Sequence, residues 1–183
     1  MTLFETQRLS VRELEVDDIP YIYAYGKEPI VVQYQDWGPV SLENSEHFYF
    51  RSQQDRTSEV RSNYTLGVIL QSSGLLIGDC GYHFLDKTHS SAEIGYNLHP
   101  TYWGKGYGTE LVIDLVAYML SKHEKLMIYA ECDSRNMGSR RVLEKSGFEL
   151  LEIRKDDVVQ KEVLINTCKY GLDKNRMINN TAN

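Results

Sequence analysis

Apolar and polar residues alternate with period two over positions 8–14, which predicts a strand. Behind Val16, Asp17 and Asp18 the spacing changes to that of a helix, with Ile19, Ile22 and Tyr23 on one side. Aspartate favours the start of such a helix, and Gly26 and Pro29 end it. A second helix is predicted from Ser41, with Asn44 three residues on, to about Asp55. The middle of the chain reads as an antiparallel meander of three strands over 63–70, 75–84 and 91–98, with turns at 72–74 and 85–88. Gly78 and Gly81 mark a bulge or a close approach there. A Gly-rich, aromatic stretch over 100–108 leads into a helix over 109–122 with Leu111, Leu115, Val116 and Met119 on one face. There follow a buried strand over 125–132 and a helix over 135–145 closed by Gly147. Two strands over 148–153 and 158–169, joined by a turn at Lys155, Asp156 and Asp157, complete the pattern.

The predicted class is therefore α+β (mixed α/β), with about seven strands and about four helices. The 183 residues fit one domain over 1–173, and the Asn-rich stretch 174–183 reads as a frayed tail. Acidic residues outnumber basic ones, 26 to 20, giving a net charge of −6. That disfavours nucleic acid as a partner, because phosphates require a positive field. No apolar run is long enough to cross a bilayer, and the first residues lack the apolar core of a signal peptide. Cys80, Cys132 and Cys168 are far apart and form no CxxC pair, so they read as reduced thiols in a cytoplasmic protein rather than metal ligands. Of the 13 tyrosines, Tyr21, Tyr23, Tyr25, Tyr34 and Tyr49 cluster near the front with Trp37, as packing groups or as pocket lining.

The chemistry concentrates where the strand ending at Leu98 gives way to His99, Pro100, Thr101, Tyr102, Trp103, Gly104, Lys105, Gly106, Tyr107, Gly108, Thr109 and Glu110. A strand, a glycine-rich loop and a helix start in that order aim main-chain N–H groups at an anion, unless the loop is only a tight turn. The ATP loop signature is absent, since no Gly-Lys-Ser/Thr occurs. The dinucleotide signature fits poorly, because the glycines stand two apart and the strand before them belongs to an antiparallel run.

With that segment goes a family resemblance. The chain resembles the GNAT superfamily of acetyl-CoA-dependent N-acyltransferases, whose motif (Arg/Gln)-x-x-Gly-x-(Gly/Ala) reads here Trp103-Gly104-Lys105-Gly106-Tyr107-Gly108. Trp103 in the first position is similar to the RimJ/RimL branch, named for acetylation of ribosomal protein N-termini. Thr6-x-Arg8-Leu9-x-Val11-Arg12 resembles that branch's opening strand, and Ala92-Glu93-Ile94-Gly95-Tyr96 its central strand. Asn136-x-x-Ser139-x-x-Val142-Leu143-Glu144-Lys145-x-Gly147-Phe148 resembles its second motif.

The resemblance implies a central, twisted, mostly antiparallel sheet and acetyl-CoA as co-substrate, with no metal. Tyr96, Asn97 and Leu98 would run beside the pantetheine arm, and the N–H groups of Gly104, Lys105, Gly106, Tyr107, Gly108 and Thr109 would hold the diphosphate. The strand ending at Leu98 would splay from the strand over 125–132, and Asn136, just inside the next helix, would bond the pantetheine. Arg135, Arg140, Arg141 and Lys145 would add local positive charge. Glu93 is the first choice as base for the attacking amine, ahead of Glu131 and Asp79; it lies roughly 16 Å along the strand from Leu98. Many family members carry a Tyr acid seven residues after the Asn; here that position is Leu143, and Ser139 is the candidate acid instead. A main-chain N–H near Leu98 would stabilise the oxyanion.

The acceptor pocket is expected between the first two helices and the last hairpin, with Tyr34, Trp37 and Tyr82 as substrate-binding candidates beside Tyr23, Tyr49 and Asp36. The acceptor is an amine, either a protein N-terminus or a small molecule, and the resemblance admits a homodimer. The competing reading is a non-catalytic domain of the same fold that binds CoA.

Overall fold

The computed structural model describes residues 1–172. The stretch 174–183, expected to be a tail, lies outside the described residues. Eight strands form one sheet in the order β1-β2-β3-β4-β5-β6-β8-β7. They are β1 (Thr2–Glu5), β2 (Leu9–Glu13), β3 (Asn63–Leu70), β4 (Leu75–Phe84), β5 (Ser91–Leu98), β6 (Met127–Asp133), β7 (Phe148–Gln160) and β8 (Val163–Leu172). The helices are α1 (Ile19–Gly26), α2 (Pro29–Val32), α3 (Leu42–Arg56), α4 (Tyr107–Lys122) and α5 (Met137–Lys145). Only β5 and β6 run parallel; every other neighbouring pair is antiparallel.

The mixed α/β class and the meander hold. Gly78 and Gly81 mark close approaches: a Cβ at either would stand 2.1 Å from a carbonyl oxygen, of Asn97 and Tyr64 respectively. Ser41 caps α3, accepting from the N–H of Asn44 at 3.1 Å while the Asn44 side chain accepts from the Ser41 N–H. Two short elements escaped the pattern. β1 is only four residues long, too short to show a period. α2 sits directly behind the Pro29 that reads as a stop, because proline is equally at home in a first helical turn. Asp18 is no ordinary cap either. It is buried and accepts from the Arg12 guanidinium at 2.7 and 2.9 Å and from the Glu15 N–H at 2.8 Å.

The last hairpin corrects the sequence reading. Lys155, Asp156 and Asp157 do not turn the chain; β7 runs through them with an irregularity between Arg154 and Val158. The Asp156 N–H leaves the ladder and donates to Asn166 Oδ1 at 2.9 Å. The turn is at Lys161 and Glu162, both with positive φ (48° and 66°). The aspartates have turn chemistry, and Asp156 does take a positive φ (47°), but the chain reverses at residues that disfavour that backbone.

The core lies on both faces of the sheet. α4 and α5 cover one face, burying Leu111, Leu115, Met119 and Leu143 against Leu66, Ile94 and Ile128. On the other face Ile22, Tyr25 and Val31 pack against Leu14, Ile69 and Leu76.

Glycine removes the strain of a positive φ. Glu162→Gly should therefore raise the urea midpoint, by about 0.5–1 kcal/mol of stability. An unchanged or lower midpoint would show that this turn is not strained.

Candidate active site

β5 and β6 pair at only three positions: Ser91 with Met127, Ala92 with Ile128, and Glu93 with Tyr129. β5 then continues beside β4 to Leu98, and β6 continues beside β8 to Asp133. The sheet opens as a fork. Its apex is at Glu93 and the gap begins one residue beyond it, while Leu98 lies five residues further along the same strand, roughly 16 Å away as expected.

The phase of the β4–β5 ladder shows which main-chain groups face the fork. The His99 N–H donates to Ile77 O at 2.8 Å and the Leu85 N–H to Ser91 O at 2.9 Å. Odd-numbered residues of β5 therefore bond to β4, and the N–H and C=O of Tyr96 and the N–H of Leu98 point into the gap. Leu98 O is taken by the Trp103 indole, 2.7 Å away. Trp103, in the place where the family motif has Arg or Gln, thus ties the loop to the end of β5.

The loop itself is shaped by two left-handed glycines, Gly104 (φ 73°) and Gly106 (φ 85°). The second caps α4, which begins at Tyr107 rather than at Thr109. Among the described residues, no acceptor elsewhere in the chain meets the N–H groups of Gly104, Lys105, Gly106, Tyr107, Gly108 and Thr109. They form an open cradle of donors at the positive end of a 16-residue helix, where an anion is favoured. A tight turn sealed by its own atoms is excluded.

On the helix side of the fork, the Tyr96 hydroxyl lies 3.0 Å from Ser139 Oγ. Asn136 is not inside α5 but caps it, accepting from the Ser139 N–H at 3.0 Å. Cys132 shares this side; burial, and then Cys168, push its thiol up to about 12, so it stays protonated. Strand alternation puts Glu93, Glu131 and Asn97 on the other side. Burial and the nearby Glu131 raise the Glu93 carboxyl above its ordinary value. Glu131 is itself ion-paired with Arg154.

The segment after α1 bridges the fork on this second side. Gln35 Nε2 donates to Asn97 Oδ1 at 2.9 Å on β5. The Arg135 guanidinium from beyond β6 lies 5.9 Å from the Tyr34 ring centroid. The Lys161 ammonium at the hairpin tip donates to Val32 O. Tyr34 is thus brought to the Glu93 side of the fork. Trp37 packs against the core under α1. Tyr82 is buried in the opposite core, stacked on Tyr64 with centroids 4.3 Å apart, on the far face of the sheet from Glu93. The expected basic patch is partly spent: Arg135 pairs with Asp133, and Arg140 donates to Tyr170 Oη at 3.1 Å. His99 accepts from the Thr101 N–H at 3.2 Å and so caps a turn.

Asp79, ranked behind Glu93 as a base, stands out for its surroundings. Asp79 is buried and accepts from the Tyr25 hydroxyl at 2.6 Å, with Asn97 Nδ2 at 3.4 Å from both of its oxygens. Burial pushes its carboxyl up to about 6 despite these bonds. Nothing local in the sequence signals this, because Asp79, Tyr25 and Asn97 lie on three separate elements.

Residues 8–149 match the acetyltransferase (GNAT) domain family, and the chain belongs to that family. It is an N-acetyltransferase that uses acetyl-CoA. It is 27% identical over 174 residues to the uncharacterized N-acetyltransferase p20 of Bacillus licheniformis, covering 95% of this chain and 97% of that one. RimL, a ribosomal protein alpha-N-acetyltransferase solved with coenzyme A, has the same fold at a TM-score of 0.83 and 15% identity, covering 93% and 97%. Spermidine N-acetyltransferase from Vibrio cholerae, solved with CoA and spermine, gives a TM-score of 0.79 at 19% identity, covering 93% and 98%. Among the described residues no group of three or more His, Cys, Asp or Glu is placed to hold a metal ion.

Asp79 gives a pH prediction. Its folded value, about 6, lies above its ordinary 3.8, so between these pH values the folded state holds a proton that the unfolded state has lost. Its contribution to stability is therefore largest below pH 3.8 and declines as pH rises to about 6. Urea titrations should show wild type losing stability relative to Asp79→Asn across that window; parallel curves would mean that Asp79 titrates normally.

Proposed function

We propose that the protein acetylates a primary amine, a protein N-terminus or a small-molecule amine, by direct attack within a ternary complex. The observation that carries this reading is the fork, with free main-chain donors on one edge and a half-buried carboxylate at its apex. The open amides of residues 104–109 would hold the diphosphate. The N–H and C=O of Tyr96 and the N–H of Leu98 would pair with the pantetheine arm as an added strand would, with Asn97 carrying the chain between them. The Asn136 amide nitrogen, left over after its oxygen caps α5, would bond the same arm. Acetyl-CoA supplies the activated acyl group as a thioester.

Glu93 would take the proton from the incoming amine, directly or through a water. Its raised proton affinity suits a base better than an ordinary surface Glu. Ser139 would donate toward the departing sulfur, with Tyr96 fixing its hydroxyl. A main-chain N–H on this free edge, of Tyr96 or Leu98, would stabilise the oxyanion. Tyr34 would line the acceptor entrance; this reading gives Trp37 a supporting place behind it and Tyr82 none. The RimL likeness supports a ribosomal protein N-terminus as one acceptor, and the spermidine enzyme supports a polyamine as another.

Thiol release from acetyl-CoA, measured over N-terminal peptides, polyamines and amino sugars, tests the reaction; release with none of them would sink it. Glu93→Gln should lower kcat about a hundredfold and leave the KM for acetyl-CoA within about twofold. The wild-type rate should climb with pH through a group titrating above 4.5, because only the carboxylate accepts a proton. Gly106→Trp should abolish acetyl-CoA binding in calorimetry; undiminished affinity would remove the loop from the cofactor site.

A further inference from the structure

The opening Thr6-x-Arg8 sequence takes no part in the chemistry above, yet it is fastened to the start of α4. The Arg8 N–H and Nε donate to the two carboxylate oxygens of Glu110, each at 2.7 Å, and Nη2 stands 2.7 Å from Oε2. Thr6 Oγ1 donates to the same carboxylate. Nη1 donates to Lys105 O at 3.1 Å, and the guanidinium lies 4.2 Å from the Tyr107 ring centroid. Nη2 stands 3.3 Å from where a Cβ of Gly106 would be, so the cation borders the amide cradle. Glu110 is the one acidic residue in the first turn of α4. Burial alone would raise its carboxyl, but the hydrogen bonds from Thr6 and Arg8 outweigh burial and hold it below the usual range, hence charged. A bare carboxylate there would repel an anion bound one turn away.

We propose that Arg8 is a positioning residue of the diphosphate site: it cancels the charge of Glu110, so that the cradle presents a net positive field to the cofactor. This rests on acetyl-CoA occupying the cradle.

The test is calorimetry with acetyl-CoA on the full chain. Arg8→Met should weaken binding about tenfold, and Arg8→Met/Glu110→Gln should recover to within about threefold of wild type, because the repelling charge has gone with its partner. S-acetylpantetheine, which lacks the diphosphate, should support the same kcat/KM in wild type and Arg8→Met. A merely structural clamp predicts the opposite: the double variant no better than the single, and both acyl donors impaired alike. Either result overturns the proposal. If Arg8→Met fails to fold by circular dichroism, Arg8→Lys should bind within about threefold of wild type and Arg8→Gln about tenfold weaker; equal affinities would overturn it. Wild type that binds no acetyl-CoA would instead sink the cradle assignment itself.

Discussion

The site depends on a break in sheet pairing. Main-chain N–H and C=O groups inside a protein need partners, and a sheet supplies them by keeping its strands side by side. Here β5 stays with β4 while β6 stays with β8, and the two part after Glu93 and Tyr129. Each strand keeps one bonded edge, which is enough to hold it straight. The other edge is left facing a gap, and an extended, amide-bearing molecule can complete it.

The fork alone would bind weakly and without direction. The cradle gives it a fixed end. Gly104 and Gly106 take left-handed backbone, which turns successive amides outward, and the dipole of α4 adds to their charge. Trp103 ties this loop to the end of β5 through Leu98 O.

Strand alternation then sorts the chemistry onto two sides. Tyr96, Cys132 and Ser139 face the helices, while Glu93, Glu131 and Asn97 face the segment after α1. The buried Asp79, bonded to Tyr25 and Asn97, links α1 to β5 at the edge of the acceptor side, and Gln35 continues that link to the bridging segment. The acceptor side is therefore held by polar contacts between distant elements, whereas the cofactor side is held by local backbone geometry.

That difference explains what could be read in advance. The meander, the cap at Ser41, the close approach at Gly78 and the cradle of glycines before α4 were all legible, because each is set by residues adjacent in the chain. The resemblance of spaced motifs supplied the fork and the positions of Glu93 and Ser139. The hairpin turn was misplaced because Asp156 and Asp157 have turn chemistry, while Asn166, which accepts from the Asp156 N–H within the irregular stretch of β7, lies on the next strand. Tyr82 looked like pocket lining because its composition does not say which face of the sheet it occupies; the β4 register puts it in the core. The apex of the fork at Glu93, the role of Trp103, and the Arg8–Glu110 pair required the tertiary structure. They join segments up to about a hundred residues apart, and only pairing register and side-chain reach in three dimensions decide which of them meet.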